Sequence, residues 1–192
     1  IKCKFVFVAS ITLPAIKILT LIILKKFKLE GIDIEDISKK VGLGAVVFSN
    51  LLDSRVKDGV FDINTAISFQ GDTGPYVQYM VVRTNSVLAK VDNKVNMDID
   101  FNILTDASSI SLIRVLANFE EVLRSALEKN EPSFISRYLL DVAKAFSVFY
   151  NNNKIICDDK KMQDARVCLT YATNKVLNRG LNLLGIQVPD KM

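Results

Sequence analysis

The sequence predicts an all-α fold, a helical bundle. Two observations carry that prediction. Four segments repeat apolar residues at the three-to-four spacing of one helix face. Polar stretches rich in Asn, Asp, Ser or Gly separate them. There is no internal repeat, no low-complexity tract, no parallel-sheet pattern and no Gly-rich phosphate loop.

Taken in order, the chain divides into residues 1–29, residues 30–70 and residues 71–192. The first part is an anomaly. Phe5 to Leu24 is nearly all apolar, broken only by Ser10, Thr12, Pro14, Lys17 and Thr20, and Lys25, Lys26 and Lys28 follow. Roughly 20 residues is the length of a membrane span, yet Lys17 near a bilayer centre would cost about 2.5–3.5 kcal/mol. No small-residue cleavage site closes the stretch as a signal sequence. Four readings stay open: a span, a signal sequence, a helix docked on the fold, and a segment foreign to the native reading frame.

Acids appear at Glu30 and the character changes. Ile34, Ile37 and Val41 suit a short amphipathic helix, which Gly42 and Gly44 are expected to break. Ala45 to Leu52 reads as a further helix, Asp53 to Gly59 as a loop, and Val60 to Phe69 as an extended connector. The glycine pair is no dinucleotide fingerprint, since no strand precedes it and a third glycine is missing.

The first bundle helix follows Gly71. Asp72 or Thr73 can cap it, and Pro75 fits its first turn, where a missing N–H is no loss. Val77, Val81, Thr84 and Leu88 make its core stripe. Val91 to Asp106 is a long polar loop. Ser108 or Ser109 is expected to cap a second helix with the stripe Leu112, Leu116, Phe119, Leu123 and Leu127, and with Glu120, Glu121 and Arg124 wet. Glu131-Pro132-Ser133 opens a third helix, striped by Ile135, Leu139, Val142, Phe146 and Phe149. Asn151 to Lys161 reads as a polar loop. A fourth helix starts near Met162 or Asp164, is lined by Ala165, Leu169, Ala172 and Val176, and stops at Gly180 or Gly185. Val188 to Met192 is a tail.

Tyr76, Tyr79 and Arg83 fall on a second face of the first helix. Two aromatics and a guanidinium can stack on unpaired bases and hold phosphate. The competing reading has both tyrosines rimming the core and Arg83 solvated, and spacing alone favours it, since aromatic stripes are usually packing.

Composition excludes several classes. The 192 residues include no histidine, which removes the commonest general base and metal ligand. Cys3, Cys157 and Cys168 share no CxxC spacing, so neither a zinc site nor a disulfide framework is signalled, and no metal is expected. The net charge of +4 hides a split: residues 1–29 hold six lysines and no acid, leaving 19 basic and 21 acidic residues beyond them. Any nucleic-acid contact by the main body must come from a local patch. Acidic pairs such as Asp158-Asp159 gather no convergent groups, so an independent enzyme is the weakest reading.

Several of these stretches resemble one family. GDTGPYVQY (71–79), EPSFISRYLLDVAKAFSVFYNN (131–152) and DARVCLTYATNKVLNRGLNLLGIQVPDKM (164–192) are similar to the C-terminal part of arginyl-tRNA synthetase, a class I aminoacyl-tRNA synthetase. VGLGAVVFSNL (41–51) and VKDGVFD (56–62) resemble the stretch just before it. The likeness runs from about Ile32 to Met192, with its motifs in order.

The resemblance implies an anticodon-binding helical bundle of the type called the DALR domain, although only Asp164-Ala165-Arg166 of the name-giving string is present. It implies tRNA(Arg) as partner. It assigns the tyrosines of the Pro-Tyr-x-Gln-Tyr opening, here Tyr76 and Tyr79, with Arg83 and the terminal Met192, to the anticodon loop. Lys175, Arg179 and Lys191 are further candidates for phosphate contacts. Residues 30–70 would be a remnant of the catalytic-module junction. The family's reaction is ATP-dependent joining of arginine to its tRNA, with ATP and magnesium as cofactors. The histidine signature that this needs is absent, and Lys160-Lys161-Met162-Gln163 reads as a solvated charge run rather than a phosphate clamp. This chain is therefore expected to hold no cofactor, to be inactive alone, and to be cytoplasmic, with the missing catalytic domain as a possible partner. Residues 1–29 depart from the family's charged helix at that place, and a frame-shifted or truncated frame is the preferred explanation. The alternative is a membrane-tethered helical interaction module without an RNA role, with the membrane a partner only if residues 5–24 are a genuine span.

Overall fold

The computed structural model describes residues 34–54, 56, 61–91 and 95–192. Residues 1–29, with the four readings of Phe5 to Leu24, lie outside them. The elements in chain order are α1 (Ile34–Leu52), α2 (Ile63–Ala66), α3 (Gly74–Ala89), a 3-10 turn (Phe101–Ile103), α4 (Ala107–Ala117), α5 (Phe119–Glu128), α6 (Ser133–Asn152) and α7 (Lys160–Leu183). No strand occurs among the described residues. The all-α prediction holds.

Helix α6 lies at the centre and touches α1, α3, α4, α5 and α7. The reason is in its sequence. Leu139, Val142, Phe146 and Phe149 are fully buried, and Tyr138, Leu140 and Ala143 widen the apolar arc. They meet Val77 and Val81 of α3, Leu112 of α4, and Leu177 and Leu181 of α7 in one core. Each fully buried Val, Leu or Phe among them contributes roughly 1.5–3 kcal/mol by leaving water. The α3 stripe is buried as expected at Val77, Val81, Thr84 and Leu88. A smaller core of Ile37, Val41, Ala45 and Ile67 sits between α1 and α2.

The structure corrects several local expectations. Gly42 and Gly44 do not break α1, which runs through both. A glycine inside a helix costs about 1 kcal/mol of propensity, but here it permits close packing. A Cβ on Gly44 would lie 2.6 Å from Nε2 of Gln78, and a Cβ on Gly74 would lie 2.6 Å from the Gly44 carbonyl oxygen. The two glycines let α1 and α3 touch backbone to backbone. The connector before Gly71 is not extended throughout; Asp62 caps the short α2 inside it. Thr73, not Asp72, caps α3, accepting from the Tyr76 N–H at 3.2 Å. Asp72 instead pairs with Lys144 of α6 at 2.6 Å.

The expected second helix is two helices. It breaks at Asn118, and Leu127 at the far end is 77% exposed rather than part of the core. The break has a partner. The Tyr138 hydroxyl lies 3.1 Å from the Val115 carbonyl and 3.3 Å from that of Leu116, so it shares its proton between two carbonyls of the last turn of α4. Burial pushes the Tyr138 phenol up to about 12. Helix α7 starts at Lys160, before either expected start at Met162 or Asp164, because Asp159 accepts from the N–H groups of Lys161 and Met162. Gly185, at φ +71°, ends it, with the Ile186 N–H returning to the Leu181 carbonyl at 2.9 Å. Gly180 does not end it; a Cβ there would lie 2.4 Å from Leu139 Cδ2.

Asp106, rather than Ser108 or Ser109, caps α4. Its carboxylate accepts from the Ser109 N–H at 2.9 Å, from both serine hydroxyls, and from the Asn153 amide at 3.3 Å at the end of α6. Burial acts to raise this carboxyl, but hydrogen bonds from Ser108, Ser109 and Asn153 outweigh it and hold it far below the usual range. Asp106→Ala is expected to lower stability at pH 7 by about 1–2 kcal/mol. A depressed carboxyl stabilises above its unfolded pKa, near 3.9, and the gain disappears as the folded group is protonated. The gap between the two proteins should therefore narrow as pH falls below about 4. Urea midpoints across pH test this, and equal midpoints at pH 7 would rule it out.

Candidate nucleic-acid interface

Residues 76, 79 and 83 share one face of α3 because three, four and seven residues return to nearly the same angle of a 3.6-residue helix. Tyr76 and Tyr79 are half-buried, with their rings packed against the main core. Both tyrosines thus rim the core and are partly open to solvent. Arg83 is different. Its Nη2 donates to the Tyr79 hydroxyl at 2.7 Å. Its guanidinium carbon stands 4.8 Å from the Tyr79 ring centre and 4.8 Å from that of Tyr150. Arg83 is held between two rings and is not freely solvated.

Tyr150 comes from the end of α6 and sequence reasoning missed it. The only local signal was its place four residues after Phe146, whose ring it meets at 6.0 Å. Beside Tyr76, the Asp72–Lys144 ion pair crosses from the start of α3 to α6. The Asp72 hydrogen bond holds the Lys144 ammonium above its ordinary pKa. Along this edge of α3 stand two tyrosine rings, a braced guanidinium and the Lys144 ammonium of α6, paired with Asp72.

The remaining sequence-predicted residues lie elsewhere. Met192 is half-buried and packs on the small core of α1 and α2, with Ile37, Val41, Ala45 and Ile67. Lys175 and Arg179 are exposed on α7 and line a groove with Lys40, Asn178, Asn182, Ile186, Gln187 and Val188. Lys175 also stands 5.0 Å from the Tyr171 ring centre. Lys191 is exposed and does not line that groove. The structure brings Tyr79 and Arg83 into contact, with Tyr76 on the same face, and brings Lys175 and Arg179 together in the groove. Among the described residues no three His, Cys, Asp or Glu side chains gather to hold a metal. No described helix is long and apolar enough to cross a membrane.

The family model described as the DALR anticodon binding domain matches residues 77–192. The chain belongs to this family. Its sequence relatives include the arginine–tRNA ligase of Halothermothrix orenii, 46% identical over 158 residues, which cover 82% of this chain and 28% of that protein. The arginine–tRNA ligase of Clostridioides difficile is 42% identical over 160 residues, covering 83% and 28% respectively. Among solved structures, arginyl-tRNA synthetase of Thermus thermophilus superposes with a TM-score of 0.86 at 28% identity, over 96% of this chain and 32% of that one. The arginyl-tRNA synthetase of Plasmodium falciparum, at 22% identity and a TM-score of 0.77, shares the fold. The chain thus spans somewhat over a quarter of the length of the curated relatives it matches. In this DALR-family chain the matched region takes in Tyr79, Arg83 and Tyr150, while Tyr76 falls one residue before it.

Proposed function

We propose that this chain recognises the anticodon loop of tRNA(Arg) as part of an arginine–tRNA ligase. The observation that supports this most is the bracing of Arg83 by Tyr79 and Tyr150 at the rim of α3. A guanidinium carries five N–H donors, and one is spent on Tyr79. The rest can meet phosphate or a base edge, already oriented, so little rotamer entropy is lost on binding. The solvent-reached part of each half-buried ring, Tyr76 and Tyr79, can stack on a splayed base, each stack worth roughly 1–3 kcal/mol. Met192 belongs to the same reading as a contact to the loop. The units of this reading are residues 30–70 as a junction and residues 71–192 as the RNA-binding bundle.

Arginylation itself, with its ATP and magnesium, belongs to the catalytic part of such a ligase, which is the second partner. No chemical step is assigned to this chain. The place of action is the cytoplasm.

The test is binding of an RNA stem-loop carrying an arginine anticodon against the same stem with a changed loop. A preference of about tenfold or more, near 1.4 kcal/mol, is expected for the first. Equal affinity for both would overturn base recognition.

A further inference from the structure

The groove along α7 points to a second contact of different chemistry. We propose that it binds the phosphates of an RNA strand, on another side of α3 from the tyrosines. This rests on the reading of the chain as an RNA-binding domain and adds a site to it.

The first support is a charge asymmetry. From Ala165 to Pro189 the chain has no Asp or Glu, within a body of 19 basic and 21 acidic residues. The second is register. Lys175, Asn178, Arg179 and Asn182 stand at i, i+3, i+4 and i+7, so a single face of α7 presents an ammonium, a guanidinium and the amide of Asn182, with Asn178 partly tied back to the Asn174 carbonyl at 2.9 Å. No carboxylate lines the groove. Seven residues of helix rise about 10 Å, while a nucleic-acid strand carries one charge per about 3.4 Å of axis. The face is therefore long enough for more than one phosphate, and the groove volume of 770 Å³ admits a backbone segment.

The walls are fixed from inside. Gln78, fully buried on α3, donates through Nε2 to the Lys40 carbonyl at 3.1 Å and to the Gln187 carbonyl at 2.7 Å. One amide thus ties α1 and the tail to α3. At about 100° per residue, Gln78 lies about 140° around the helix from Arg83, which separates the groove from the aromatic face. Lys40 extends the cationic lining onto α1. Asp36 pairs with it at 2.6 Å and offsets part of its charge, so Lys175 and Arg179 carry most of the field.

Phosphate could arrive as RNA or as a free anion, and salt dependence separates them. The full chain is titrated with the arginine-anticodon stem-loop and with the loop-changed control over a salt series. K175Q/R179Q should lower the slope of log affinity against log salt by about one unit per cation removed and weaken both RNAs by the same factor. K40Q should lower it less. Both α7 residues are exposed, and circular dichroism checks that helicity is kept. An unchanged slope, or a loss confined to one RNA, overturns the proposal. So does saturable binding of inorganic phosphate that K175Q/R179Q abolishes while the RNA slope stays. The outcomes are separable from those for base recognition: lost loop preference with the slope change intact removes the anticodon reading and leaves the groove.

Discussion

Tyr79→Ala should weaken binding of the arginine-anticodon stem-loop by about 1–3 kcal/mol, or about 5- to 150-fold. Two losses combine. The ring that can stack on a base disappears, and Arg83 loses both its 2.7 Å hydroxyl acceptor and one of its two flanking rings. Freed from one side, the guanidinium must be ordered again on binding. Tyr79→Phe separates the two effects, since it keeps the ring and removes the hydroxyl; it should fall between wild type and Tyr79→Ala. The loop-changed RNA should lose less than the cognate one. The half-buried ring makes a stability control necessary, so affinity is compared at a temperature where both proteins remain fully helical. An unchanged binding constant for the folded variant would remove Tyr79 from the interface.

Gly74→Ala should destabilise the fold by about 1–3 kcal/mol, at the upper end of that range. Propensity alone argues the other way, because alanine is favoured over glycine within a helix by up to about 1 kcal/mol. Contact decides. The new Cβ would stand 2.6 Å from the Gly44 carbonyl oxygen and 2.8 Å from Phe48 Cβ. Neither obstacle is a side-chain tip that can rotate aside, so α1 and α3 must separate. That movement starts one turn from Tyr76 and Tyr79. Denaturant midpoints measure the cost, and a variant more stable than wild type would show that α1 and α3 do not meet at these glycines.

The stripes of α3 and α6 were legible because burial in a helix repeats every three or four residues, and Val77, Val81, Leu139, Val142, Phe146 and Phe149 all follow that rhythm. The resemblance of residues 32–192 to arginyl-tRNA synthetase was legible too, and it assigned Tyr76, Tyr79 and Arg83 where spacing alone leaned to packing. The errors were non-local. Gly44 looked like a helix breaker because its partner, Gly74, is thirty positions away. At the split at Asn118 the Tyr138 hydroxyl meets the carbonyls of Val115 and Leu116, and the cap at Asp106 draws on Asn153.

By itself, then, the sequence determined the all-α class, the apolar faces of α3 and α6, the family, and a body too acidic for indiscriminate nucleic-acid binding. Tertiary structure decided which side chains meet: Tyr150 against Arg83, Lys40 beside Lys175 and Arg179, Gln78 between α1 and the tail. The physical reason is range. Periodicity and capping act within a turn or two of chain, whereas a binding surface is assembled from groups that only close packing of distant helices brings together.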